Sequence, residues 1–136
     1  MLGGFSMKEL ENNAFFWQKL DTLMFSSDCT IDRPKGSTHF KYSNLVYPVD
    51  YGFLSDTTAG SDQDPIDLFK GSIPTHTVDA IAVSADILKK DCDVKLLVGC
   101  TEEEILDILR FLNQTEFQKA ILIRRGDETP IWSTND

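Results

Sequence analysis

Val78-Asp79-Ala80-Ile81-Ala82-Val83 and, beyond a polar Lys89-Lys90-Asp91-Cys92, the run Asp93-Val94-Lys95-Leu96-Leu97-Val98-Gly99 decide the fold class. In the first run Val78, Ala80 and Ala82 fall on one side and Ile81 and Val83 on the other, continuing to Ile87-Leu88, which is the period-two pattern of a strand. The second run resumes that pattern. A short polar break between two strand patterns is a hairpin connection, so the halves are expected to pair antiparallel. Asp93 and Lys95, two residues apart, then share a face, with Asp91 at or near the turn.

Upstream lies Asp62-Gln63-Asp64-Pro65-Ile66-Asp67, three carboxylates in six residues behind a Gly60-Ser61 turn. Like charges at such spacing are relieved by protonation, by solvent or by a bound cation. Pro65 fixes its own φ and pushes Asp64 toward an extended conformation, so the cluster is stiff. Asp62 and Asp64 project on one side of an extended segment, and a turn at Pro65 brings Asp67 round to them. Oxygen donors in that arrangement suit a hard divalent ion such as Mg²⁺. The same six residues also read as a wet Asp-rich turn. A calcium EF-hand loop is excluded, because its sixth position, a glycine, would be Asp67 and its twelfth, a glutamate, would be Ile73.

Helices flank the strand patterns. Between Met7 and Met24 the apolar residues Leu10, Ala14, Trp17, Leu20, Leu23 and Met24 recur at spacings of three and four, an amphipathic helix broken by Ser26-Ser27-Asp28. Thr101-Glu102-Glu103-Glu104 opens a second helix with an N-cap and a capping box, and Ile105, Ile108, Leu109 and Leu112 form its apolar stripe. Ala120 to Ile123 reads as a closing strand. Between the first helix and the aspartates stand a mixed-charge turn with Asp32, Arg33 and Lys35, a loop with His39 and Lys41, and three tyrosines at 42, 47 and 51. A phenolic hydroxyl aimed into a pocket donates to phosphate oxygen, although aromatic residues also suit strands.

At 136 residues, with 41% hydrophobic and 26% charged residues, the chain reads as one globular domain over 7–136, with 1–6 as a disordered lead. No apolar run is long enough to span a bilayer, and Met1 to Ser6 lacks the pattern of a secretory signal, so the expected location is cytoplasmic. A net charge of −9, from 22 acidic and 13 basic residues, argues against a nucleic-acid partner. A small anion held through metal remains compatible with it. Cys29, Cys92 and Cys100 are odd in number and lack CxxC spacing, as expected for reduced thiols.

Taken together, Ile31-Asp32-Arg33-Pro34, Lys41, Tyr47-Pro48-x-x-Tyr51-Gly52, Asp62-x-Asp64-Pro65-x-Asp67 and Asp93-x-Lys95 resemble, in that order, the soluble family I inorganic pyrophosphatases. The resemblance spans roughly Ile31 to Leu97 and implies a mainly β fold: a small OB-like antiparallel barrel with an N-terminal and a C-terminal helix packed on it. It implies Mg²⁺, or Mn²⁺ in its place, on Asp62, Asp67 and Asp93. It also implies Asp64 as the carboxylate that shares a second ion and helps deprotonate the attacking water. Lys41 and Lys95 correspond to phosphate-binding cations, Tyr51 to a phosphate donor, and Asp32 to a glutamate at the rim.

The expected activity is Mg²⁺-dependent hydrolysis of pyrophosphate or a related small phosphoanhydride. The alternative is a non-catalytic, metal-dependent phosphate-binding module on the same barrel. The segment from Lys41 to Tyr47 is too short for the family's hairpin, whose glutamate and arginine are missing; Arg33 and Lys35 are the nearby substitutes. Asp91 stands in for a further metal-binding aspartate, and the family's Tyr-Lys pair has no match between Leu106 and Ala120. Subunit contacts in the resembled family allow a homo-oligomer.

Overall fold

The structure, a computed structural model, describes residues 7–59 and 64–126. Six strands form one sheet: β1 (Cys29–Arg33), β2 (Asp50–Ala59), β3 (Asp64–Lys70), β4 (Val78–Asp86), β5 (Asp91–Val98) and β6 (Gln118–Arg124), in the order β1-β2-β3-β5-β4-β6. The helices are a short α1 (Met7–Glu11), α2 (Ala14–Ser26) and α3 (Glu102–Leu112).

The expected hairpin is present, with Val83 opposite Val94 and Ser84 opposite Asp93. At its tip Asp86 Oδ1 accepts from the backbone N–H groups of Leu88 and Lys89 at 2.8 and 2.9 Å, and Lys90 takes up a φ of 58°. An aspartate that bonds backbone two and three residues on is what a tight turn needs.

The chain is mainly β with helices from both ends, as expected, but the sheet is open and mixed rather than a closed antiparallel barrel. β5 inserts between β3 and β4 and runs parallel to β3, with Asp67 opposite Lys95 and Phe69 opposite Leu97. Both faces of the sheet are covered. On one face Tyr47, Val49, Phe69, Ala80, Ala82 and Leu97 pack under Ile105, Ile108 and Leu112 of α3. On the other, Leu54, Leu68, Ile81, Leu96 and Val98 pack under Trp17 and Met24 of α2. Consecutive apolar residues such as Leu68-Phe69 and Leu96-Leu97-Val98 follow from this, since a strand covered on both sides has no solvent face to alternate toward. Val78 lies on the α2 face although Ala80 lies on the α3 face, because the register shifts between them.

The single helix expected from Met7 to Met24 is divided at Asn12-Asn13. Asn13 caps α2, its side chain accepting from Phe16 N at 3.1 Å. Asn12 ties the break to the body of the protein: Oδ1 accepts from Trp17 Nε1 at 2.6 Å and Nδ2 donates to the Arg124 carbonyl at 2.8 Å. Asparagine is favoured at an N-cap because it supplies the acceptor that the free N–H groups of a first turn lack. The capping box of α3 forms as read, Thr101 Oγ1 accepting from Glu104 N at 3.1 Å and Glu104 Oε1 accepting from Thr101 N at 2.9 Å. The expected lead over 1–6, the Gly60-Ser61 turn with Asp62, and the tail beyond Gly126 lie outside the described residues. Among the described residues no helix is long and apolar enough to cross a membrane.

Candidate functional site

Strand parity assembles the site. Tyr51, Asp67, Phe69, Asp93, Lys95 and Leu97 occupy alternate positions on three neighbouring strands, and Tyr51 is registered with Phe69 as Asp67 is with Lys95. These side chains therefore reach the α3 face together. Lys95, only 11% exposed, is held by two carboxylates: Nζ donates to Asp93 Oδ2 at 2.6 Å and stands 3.5 Å from Asp67 Oδ2, the acids being 30% and 33% exposed. The Tyr51 hydroxyl and the Asp67 carboxylate act on each other electrostatically, and the Lys95 ammonium lies 5.7 Å from the centre of the Tyr51 ring.

The electrostatics follow from this crowding. Burial pushes the Asp67 carboxyl above its ordinary value; Lys95 and the Tyr51 hydroxyl pull it down without cancelling that, and Asp93 adds to the rise. Burial, then the Asp67 charge, drive the Tyr51 phenol far up, so it stays a donor at any physiological pH.

Beside this cluster lies a cavity of about 280 Å³. Lys41, Tyr51 and Lys95, three residues read from sequence as phosphate-binding, all line it. The loop that brings Lys41 is closed by one antiparallel bridge, Thr38 to Val46, in place of the longer hairpin whose absence the sequence indicates. Gly36 N donates to the Tyr47 carbonyl and Tyr47 N to the Ser37 carbonyl, both at 2.9 Å, which pins the base of the loop. Within it, His39 Nδ1 accepts from the backbone of Lys41 and Tyr42 at 3.1 and 3.3 Å. Partial burial, then the charges of Arg33, Lys89 and Lys41, hold the imidazole below its usual range, so it is neutral at pH 7.

The remaining walls are aromatic. His39 stacks on Phe40 and leans on Tyr42, which meets Phe117; Tyr47 bridges Tyr51 and Phe111; and Phe69 packs on Tyr51. Of the chain's fourteen Phe, Trp and Tyr residues, seven line this cavity. Lys41, Lys89 and Lys95 stand on its lining with Asp86; Lys95 is paired with Asp67 and Asp93 and Lys89 with Asp91, so Lys41 is the lining lysine without an ion pair among the described residues. His39 and the tyrosines stand out in the sequence. Phe111, Phe117 and Lys89 do not, since they arrive from the end of α3 and from a turn with no local pattern that points to a ligand.

The other residues read from sequence fall around this centre. Arg33 is not a lining residue, but its guanidinium lies 5.9 Å from the centre of the exposed Phe40 ring. Asp64 is exposed at the start of β3, opposite Ala59; β3 runs straight through Pro65 with no turn there, so Asp64 shares the side of Ile66 and is not brought round to Asp67. Asp91 begins β5 at the hairpin tip, 3.8 Å from Lys89 Nζ. Cys29 and Cys92 are exposed free thiols, and burial pushes the thiol of Cys100 up to about 12.

For the divalent ion implied by the resemblance, the donor chemistry at Asp67 and Asp93 fits: two carboxylates from different strands meet at one cation position, held here by the Lys95 ammonium. Among the described residues no three Asp, Glu, His or Cys side chains gather as a metal-holding group, and Asp62 lies outside them.

No protein-family model and no curated protein matches the chain. Among solved structures it is similar to an inorganic phosphatase from Anaplasma phagocytophilum, with 18% identity and a TM-score of 0.45 over 72% of this chain and 74% of that one. It is also similar to the inorganic pyrophosphatase of Helicobacter pylori, again with 18% identity and a TM-score of 0.45, over 72% of this chain and 75% of that one. Neither likeness assigns an activity to this chain.

Proposed function

We propose that the chain hydrolyses inorganic pyrophosphate, or a related small phosphoanhydride, where the cavity meets Tyr51, Asp67, Asp93 and Lys95. The observation that carries this reading is the arrival of Lys41, Tyr51 and Lys95 on one cavity, beside two carboxylates that share a cation position. Lys41 draws the anion in and offsets charge on the departing phosphate, while Arg33 adds positive charge nearby. Tyr51 and Lys95 offer protons to phosphate oxygens, and the buried phenol does so without ionising. The resemblance gives Asp64, at the exposed start of β3, the role of taking the proton of the attacking water as its oxygen bonds to phosphorus and the bridging P–O bond breaks. A magnesium or manganese ion on Asp62, Asp67 and Asp93, with Asp64 and Asp91 toward a second, supplies charge neutralisation and a more acidic water when bound.

The test is release of inorganic phosphate from pyrophosphate, nucleoside triphosphates and short polyphosphates, with Mg²⁺ or Mn²⁺, against the Asp64→Asn variant. Turnover at least a hundredfold above that variant is expected. No release above it on any substrate removes the hydrolase reading. One feature favours a second reading, a binding module without turnover: Lys95 already serves Asp67 and Asp93 as a shared counter-ion and offsets one of their two charges, so the folded chain holds them together without a metal. Calorimetry showing saturable phosphate-ligand binding without phosphate release selects it.

A further inference from the structure

Bare pyrophosphate makes no use of most of this cavity. A compact polyanion wants cations and N–H or O–H donors, and placing it against aromatic rings costs hydration without return. Here the floor and walls include Tyr47 and Phe69, buried, with Phe111 at the end of α3 and Phe117 in the turn before β6. Phe40 and Leu88, 75% and 64% exposed, are large apolar side chains that the fold leaves in solvent, and both stand on the lining. Such walls match a flat ring, which gains by stacking and by leaving water.

A second observation is independent of the aromatics. Thr115 Oγ1 is the buried side-chain oxygen that, among the described residues, has no hydrogen-bond partner, and Thr115 also lines the cavity. A buried hydroxyl left unpaired costs stability, and its place in a cavity wall means that a ligand atom can pair with it. Pyrophosphate held by the lysines has no second, ring-like edge to offer. A heteroaromatic ring has.

We propose that the cavity takes a nucleotide-like phosphoanhydride, its flat heteroaromatic ring against the aromatic walls with a polar edge on Thr115, and its phosphates on Lys41, Lys89 and Lys95. This deepens the phosphoanhydride reading and rests on it for the phosphate end alone. The size agrees with one base and a short phosphate chain, since about 280 Å³ lies at the small end of ligand pockets. The donors agree as well: Lys41 stands on the lining without an ion pair among the described residues, and Lys89 and Lys95 reach it from their pairs with Asp91 and with Asp67 and Asp93, so an anion there meets three ammonium groups.

The experiment is calorimetric titration of the full chain, with Mg²⁺ present, using ADP, GDP and pyrophosphate. At least one nucleotide is expected to bind roughly tenfold more tightly than pyrophosphate, the return of one stacked ring. Thr115→Val keeps the shape and removes the hydroxyl. It should cut the nucleotide-to-pyrophosphate affinity ratio about fivefold while leaving the melting temperature equal or higher, because the unpaired group is gone. A hydroxyl with only a structural role would lower the melting temperature and leave the ratio alone. Phe117→Leu, which keeps an apolar wall, should also narrow the ratio.

Pyrophosphate binding as tightly as both nucleotides, or a ratio indifferent to both substitutions, overturns the inference. Phosphate release from pyrophosphate without nucleotide binding overturns it and leaves the hydrolase reading standing. Nucleotide binding with no phosphate released from any substrate does the reverse. If neither nucleotide binds, the inference is lost.

Discussion

Lys95→Met tests the centre of the site without emptying it. Methionine keeps an unbranched apolar stem of similar reach, so what is removed is chiefly the ammonium. That ammonium is the shared counter-ion of Asp67 and Asp93, 3.5 and 2.6 Å away, and it is 11% exposed while the acids are near one third exposed. Breaking a fully buried pair costs about 3–5 kcal/mol. Partial solvation of both acids here reduces the expected loss to about 2 kcal/mol at pH 7. For a chain of this length that is a fall in melting temperature of roughly 6–8 °C. The sign of the pH dependence is fixed. Asp67 is already raised above its ordinary value, and removing Lys95 raises it further, so the folded variant binds protons that the unfolded chain has released. The deficit is therefore full above the raised value and shrinks as pH falls through it, since protonated acids need no counter-ion. If Asp67 and Asp93 also accept a divalent ion, Mg²⁺ should restore more stability to the variant than it adds to the parent, up to about 2.7 kcal/mol at a hundred times the dissociation constant. Thermal melts at pH 4.5 and 7, with and without Mg²⁺, measure all of this. A variant within 0.5 kcal/mol of the parent at pH 7, roughly what a distant surface change causes, or a deficit that grows toward acid, refutes the shared-counter-ion account.

Two further substitutions probe the frame. Gly52→Ala should cost about 3 kcal/mol in urea denaturation, because a Cβ there would meet the Thr30 carbonyl oxygen at 1.9 Å and push β1 off the sheet edge; an unchanged midpoint would show that β1 moves freely. Asp21→Asn removes a carboxylate that accepts from Arg125 at 3.0 and 2.8 Å and from Val78 N at 3.0 Å. Burial raises its pKa, but the Arg125 and Val78 hydrogen bonds and the Arg125 charge hold it net below the ordinary value of 3.8. Its contribution, about 1–2 kcal/mol, is present above that value and lost as pH falls through the lowered one. The parent and the variant should then converge as the pH falls below that lowered value, and a constant gap across acid would contradict the pair's role.

The hairpin, the capping box of α3 and the shared face of Asp93 and Lys95 were legible because each depends on local spacing; that Tyr51 and Asp67 join them was implied by the family resemblance alone. Asp93 and Lys95 two apart must share a face of a strand, and Thr101 with Glu104 three on is sufficient for a cap. What depends on distant partners was not legible. The parallel pairing of β3 with β5 joins segments whose own patterns are silent about direction. Apolar doublets at Leu68-Phe69 and Leu96-Leu97 carry the signal for a sheet covered on both faces, and that signal tells against a barrel with an aqueous outer surface. The break at Asn12-Asn13 was available too, since two asparagines interrupt a helical stripe where a cap is favoured. The aromatic cavity had no such signature, because its walls come from a loop, five strands, the β4-β5 turn, the end of α3 and the segment leading into β6.

Tyr51-Gly52 shows why a motif overstates a site. Adjacent strand residues point to opposite faces, so the two letters of the motif cannot serve the same pocket. Tyr51 turns to the α3 face and the acids, while the missing side chain of Gly52 lets β1 lie against β2. The tyrosine is present for chemistry and the glycine for close approach, and a sequence match scores both alike. The same division runs through Asp64-Pro65-Ile66-Asp67. Asp67 is committed to Lys95 and Tyr51, Ile66 packs toward the α2 cluster, and Asp64 stands in solvent. Loss of activity on changing Gly52 would therefore report on the sheet edge, whereas Tyr51→Phe, which keeps the ring and removes the hydroxyl beside Asp67, addresses the site itself.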